Sequence, residues 1–153
     1  MQPSPILAPV VALAGWTLVV MLWMVVTRFG AMRKQGISLK GRVGTRTGAL
    51  EGIIPDQVNY KAHNYMHLVE QPTIFYPVCL ALALMNAGGG GNLWLAWAYV
   101  GLRVVHSIVQ GTVNIVTYRF YLFVLSSVAL IALTIRAALE VCPYAFGTAF
   151  TGG

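Results

Sequence analysis

The chain has 153 residues, of which 58% are hydrophobic and 9% charged, with a net charge of +6 and a mean hydropathy of +0.72. A soluble domain carries about 25% charged residues to cover its surface, so this composition excludes a soluble protein and points to one compact unit in a membrane. The positive charge argues against nucleic acid as a partner, because it forms no phosphate-binding face: Arg28, Arg33, Lys34, Lys40, Arg42 and Arg46 all fall between the first two apolar runs, where a membrane-orientation signal belongs.

The first predicted helix covers about 6–28. Its apolar run, Ile6 to Thr27, contains no charge and gives about 33 Å of helix, enough to span a bilayer. No basic segment precedes it and it exceeds a signal-peptide core, so an uncleaved span is expected. Ala8, Ala12 and Gly15 make a stripe of small residues that would let another helix come close. The basic connector that follows, 28–58, is expected in the cytoplasm with the N-terminus outside.

The second predicted helix covers about 58–87. Its apolar part, Thr73 to Ala87, is only about 15 residues, too short to span alone. The helix must therefore begin in the polar stretch, with His63, His67 and Glu70 shielded inside the bundle or near the headgroups. Gly88 to Gly91, flanked by Asn86 and Asn92, breaks it, and so short a link makes the third helix, about 93–113, antiparallel. Trp94 and Trp97 open that helix where an aromatic belt would lie. After a turn from Gly111 to Thr117 comes the fourth helix, about 116–138, with Arg136 and Glu140 at the far interface and a loose tail from Pro143 to Gly153. Cys79 and Cys142 are far apart and read as free thiols. Residues 1–153 are thus expected to form a single all-α membrane domain with four transmembrane helices.

The polar residues inside these spans point to a site. His63, His67 and Glu70 follow one another at i, i+4 and i+7 on the second helix, and Arg103, His106, Gln110 and Asn114 at steps of three and four on the third. Arg119 opens the fourth. With the connector inside, all three groups fall in the cytoplasmic half. An ionised side chain at membrane depth costs at least about 2.5–3.5 kcal/mol, so several on convergent faces imply a polar pocket. Arg103, at mid-span, needs a partner, and Glu70 is the carboxylate expected to supply it. Such a pair can also simply tie two helices together. Arginines facing one region favour an anionic ligand, which their forked donors suit. The composition of His63, His67, Glu70 and His106 would also suit a metal ion, but the neighbouring arginines repel a cation and no metal is assigned.

The stretch Asn64-Tyr-Met-His-Leu-Val-Glu-Gln-Pro-Thr-Ile-Phe-Tyr76 resembles the second-helix signature of the MAPEG proteins, the membrane-associated proteins of eicosanoid and glutathione metabolism. Bacterial versions read roughly Asn-x-x-Asn-Leu-x-Glu-x-Pro-x-Leu-Phe-Tyr, which Leu68, Glu70, Pro72, Phe75 and Tyr76 fit. Arg103-Val-Val-His106-Ser107 is similar to the family's Arg-x-x-His-Ser/Thr, and Arg119 falls where the family's fourth helix carries an arginine. The resemblance implies a left-handed four-helix bundle that assembles as a homotrimer, with glutathione as co-substrate between subunits near the cytoplasmic leaflet. It implies that His63, His67, Glu70, Arg103, His106 and Gln110 line the glutathione site and that Arg119 is catalytic, stabilising the thiolate. Departures lie at His67, in place of an asparagine, at His63, in place of an arginine, and at Gln110, in place of a tyrosine. Phe120 and Phe123 stand where hydroxyl residues are usual.

Two readings of function stay open. One is a glutathione-dependent transferase or peroxidase acting on lipophilic electrophiles. The other is a non-catalytic membrane protein that binds a lipid or a partner through the same pocket. The short loops and the match to the bacterial motif favour a bacterial inner membrane.

Overall fold

The computed structural model describes residues 2–38, 40–41, 48 and 50–150, with side chains up to residue 143; Arg42 and Arg46 of the basic connector lie outside them. Among the described residues there are five helical segments and no strand: α1 (Leu7–Lys34), α2 (Asp56–Glu70), α3 (Pro72–Leu84), α4 (Gly90–Gly111) and α5 (Val116–Phe150). Gln71, between α2 and α3, keeps helical dihedrals. Pro72 lacks the N–H that would bond the Leu68 carbonyl, so the two segments are one helix interrupted at the proline.

The helix ends follow backbone chemistry more than hydropathy. Helix α1 runs on past Thr27 through Arg28, Arg33 and Lys34. These are good helix formers, and Arg33 and Lys34 sit favourably in its last turn. It stops at Gly36, whose φ of +65° closes the end, with the Ile37 N–H donating to the Met32 carbonyl at 2.9 Å. Helix α3 ends before the expected position because Asn86 turns left-handed at φ +56°. The glycine run does not wholly break the chain: Gly90 and Gly91 already form the first turn of α4. At the other end, α5 continues through Pro143, where a loose tail is expected from the sequence.

Three helices are long and apolar enough to cross a membrane: Leu7–Lys34, Asp56–Leu84 and Val116–Pro143. The protein is therefore an integral membrane protein built as a helical bundle. Helix α4 does not stand out by hydropathy, since Arg103, His106, Ser107 and Gln110 interrupt it, but all four are buried inside the chain. Its depth follows from its attachments. Arg136 of α5 donates to Asn92 at the start of α4, while Arg119 at the start of α5 bonds Asn114 just past its end. Helices α4 and α5 therefore lie antiparallel over the full length of α4, making it the fourth crossing.

The core is made by one stripe from each helix. Helix α1 contributes Leu13 and Val20, preceded by Ile6; α2 and α3 contribute Leu68, Phe75, Cys79 and Leu82; α4 contributes Ala96 and Tyr99; α5 contributes Leu130 and Leu133. Phe75 stacks on Tyr99 with centroids 4.5 Å apart. The small stripe of α1 does not take part: Ala8, Ala12 and Gly15 are not buried, and a side chain at Gly15 would meet nothing within 4 Å. Within the chain the close approaches lie at Gly88, against Ser4 and Ile6, and at Gly111, where an added Cβ would come within 2.7 Å of the Trp23 ring and 3.3 Å of the Asn64 amide. The contacts at Gly111 gather the end of α1, the start of α2, the end of α4 and the start of α5 at one end of the bundle, the basic end.

Candidate functional site

Which side chains of α2 face inward is set by the apolar helix that continues it. The buried line Leu82, Cys79, Phe75, Leu68 extends back to Asn64, which has no exposed surface. His67 lies beside this line and is half-buried, while His63 and Glu70 lie off it and are exposed. Asn64 spans to α4, its amide donating to the Ser107 carbonyl at 3.0 Å and to the Ser107 hydroxyl at 2.9 Å.

On α4 the buried face runs through Tyr99, Arg103, His106 and Gln110, at steps of four, three and four. Arg103 is fully buried. Its Nη2 donates to the His67 carbonyl at 2.5 Å and its Nη1 lies 3.4 Å from His67 Nδ1. The His67 and His106 rings stack at 4.8 Å, and Phe123 of α5 covers His67 at 5.5 Å. Arg119, half-buried at the start of α5, donates from Nη1 to Asn114 Oδ1 at 2.6 Å. Both guanidiniums lie within electrostatic range of the two imidazoles. The result is a largely buried cluster of two guanidiniums and two stacked imidazoles at the basic end of the bundle.

The expected ion pair between Arg103 and Glu70 is not formed within the chain. Glu70 points outward, and Arg103 bonds His67 instead. Among the described residues the one ion pair joins His63 to Glu51 at 3.0 Å, on the exposed surface. His63 is thereby turned from the cluster toward the connector. The structure thus brings His67, Arg103 and His106 together, with Gln110 farther along the same buried face of α4, Arg119 within electrostatic range of the two imidazoles, and Glu70 exposed and unpaired but within electrostatic range of Arg103; His63 is left outside. His63, His67, Glu70 and His106 do not converge, and among the described residues no three His, Cys, Asp or Glu side chains could hold a metal ion.

Several polar atoms here are buried without a partner: Arg103 Nε, Arg119 Nε, Gln110 Oε1, Asn64 Oδ1 and Tyr99 OH. Buried polar groups nearly always find partners, ordered water among them, and Trp16 Nε1, Asn59 Nδ2 and Gln71 Oε1 are buried without a protein partner as well.

The model of the MAPEG family matches residues 6–139. This chain belongs to the MAPEG family. No curated protein and no solved structure matches it. The family match takes in all four crossings and every residue of the cluster, and it ends within α5 just before Glu140. Membership makes this a membrane protein of the glutathione and eicosanoid metabolism family.

Asn64, Ser107 and Phe123 are not expected from the sequence as site residues, whereas Asn114 belongs to the expected stripe. A signal for Asn64 is present: the helical spacing that links Leu82, Cys79, Phe75 and Leu68, carried back one more turn, arrives at it. Asn114 is marked by the stripe, and the structure places it in the turn expected between Gly111 and Thr117.

Proposed function

We propose that this MAPEG protein is a glutathione-dependent transferase acting on a lipophilic electrophile, with its site at the basic end of the bundle. The observation that carries this reading is Arg103: fully buried, without a carboxylate at ion-pair distance, and with Nε unpartnered. A buried cation with no carboxylate in contact is held at a cost of several kcal/mol, which Glu70, in electrostatic range but not in contact, offsets only in part and an anion arriving from outside would offset further. Arginine suits a carboxylate, which takes two parallel hydrogen bonds from its fork, and glutathione offers two.

The roles follow from position. Arg103 receives a carboxylate, with His67 and His106 fixing the wall beside it. Arg119, nearer the mouth, stabilises the sulfur. The thiol gives its proton to water, and a nearby guanidinium favours the thiolate that remains. The thiolate then attacks the electrophilic carbon, forming the C–S bond as the leaving group departs with its electron pair. Exposed apolar side chains on α5, among them Tyr121 and Val124, offer a lipophilic substrate a path from the bilayer. Glu70 faces outward and is placed to meet the ligand's ammonium from a neighbouring subunit, in a homotrimer. The basic connector would lie in the cytoplasm of a bacterial inner membrane.

One observation favours a second reading, a non-catalytic protein that binds a lipid or partner at the cluster. Phe120 and Phe123 stand where a hydroxyl would assist the thiolate, and Phe123 packs on His67. A single experiment separates the two. Purified protein is assayed for a glutathione-induced thermal shift and for conjugation of an aryl halide. The transferase shows both, and Arg119→Ala lowers turnover by about a hundredfold, as expected when one charge stabiliser is removed. A thermal shift without conjugation indicates a site that holds glutathione without catalysing transfer. Absence of both effects rules glutathione out.

A further inference from the structure

We propose that Asn114 is the positioning residue for Arg119: the α4–α5 turn holds it left-handed so that its neutral side chain fixes the direction of that guanidinium. The proposal rests on the reading of Arg119 above.

Two non-glycine residues among those described have positive φ, Asn86 and Asn114. Asn86 is accounted for by helix termination, since it closes α3 with the Ala87 N–H donating to the Leu82 carbonyl at 2.9 Å. Asn114, at φ +53°, lies past the end of α4, and its N–H donates to the Val109 carbonyl at 2.7 Å. The left-handed region is costly for most residues, and asparagine tolerates it because its short amide bonds locally. Here that amide oxygen is not spent on the turn itself. It reaches across five residues to Arg119 Nη1 at 2.6 Å.

The chemistry of the pairing is specific. A guanidinium offers an anion two parallel N–H bonds along an edge. With Nη1 anchored to Asn114, the opposite edge of Arg119, Nε and Nη2, stays free, and Nε is buried without a partner. An aspartate at 114 would hold the arginine equally well but neutralise it. An amide orients the cation and leaves its whole charge for the ligand. In a chain with four acidic residues, none of them paired with Arg119, the neutral acceptor preserves the field the site needs.

The test uses the full-length protein with glutathione bound, reading thiolate by its ultraviolet absorbance against pH. Asn114→Gly keeps the left-handed backbone and removes the acceptor. Asn114→Asp keeps the acceptor and adds a charge. Arg103, His67 and His106, the charged and titratable groups near Arg119, are the same in every variant and cancel in the comparison. The glycine variant should bind glutathione within about threefold of the parent, yet form about tenfold less thiolate at a given pH, a midpoint about one unit higher. The aspartate variant should move the midpoint the same way. An unchanged midpoint in both overturns the proposal. Thermal unfolding of Arg119→Ala, Asn114→Gly and the double variant decides the pairing without any ligand. Asn114→Gly should cost nothing further once Arg119 is gone, and strict additivity overturns the pairing. If the parent binds no glutathione, the functional reading fails, and this cycle still decides whether the two side chains are coupled.

Discussion

A guanidinium sealed inside a membrane bundle is held at the expense of stability unless all of its donors are used, and Arg103 leaves Nε without a partner. Replacing such a group with an apolar side chain of similar length is often neutral or stabilising. Arg103→Met is therefore expected to match or raise the thermal midpoint of the ligand-free protein while weakening glutathione at least tenfold. Thermal unfolding with and without glutathione measures both, and a large loss of ligand-free stability would show that the arginine is structural. Asn64 gives the opposite pattern. Its amide makes two buried bonds to Ser107, and Asn64→Ala removes both, a loss of about 1–2 kcal/mol. The variant should unfold at a lower temperature with its glutathione affinity nearly kept. At this scale the sequence makes Arg103, His106 and Arg119 legible because charge inside a span is conspicuous. Neither the outward turn of Glu70 nor the inward turn of Asn64 is visible in the polar part of α2 read alone. One residue along a helix is about 100° of rotation, and only the apolar half of the helix fixes which face is inside.

At the scale of elements, hydropathy alone foretells three of the four crossings, while the ends of all of them depend on backbone features that hydropathy does not report. Gly36 and Asn86 close helices by turning left-handed, and Pro72 divides one helix into α2 and α3 without ending it. The small residues of α1 suggest a close helix contact, yet helix packing depends on which face is turned inward, and those residues face outward. Within the chain, the close contact between helices is at Gly111, at the end of α4, pressed between the Trp23 ring and the Asn64 amide. Even one methyl there would come within 2.7 Å of Trp23, and an over-packed contact of this kind costs about 1–3 kcal/mol. Gly111→Ala should lower the thermal midpoint, and it should weaken glutathione as well, because the displaced Asn64 is bonded to Ser107 next to His106. Unchanged binding in a destabilised variant would separate this helix contact from the cluster.

At the scale of the whole molecule, the outward-facing glutamate becomes the decisive residue. Glu70 is exposed on α2, while Arg103 lies buried in the same chain with no carboxylate paired to it. In a homotrimer each site would take Arg103 and Arg119 from one subunit and Glu70 from the next. That arrangement can be tested without seeing the assembly. Glu70→Ala and Arg119→Ala chains are each expected to be nearly inactive alone. Co-expressed in equal amounts and assembled at random, they form sites in which the glutamate of one chain meets the arginine of the other. A shared site needs an intact glutamate donor beside an intact arginine donor, so about a quarter of the sites should recover. A site contained within one chain recovers nothing, since every chain carries one of the two lesions. Activity near a quarter of the parent in the mixture, against the background of each variant alone, would place Glu70 across the subunit boundary; activity at background would return it to its own chain and require α2 to rotate when the ligand binds.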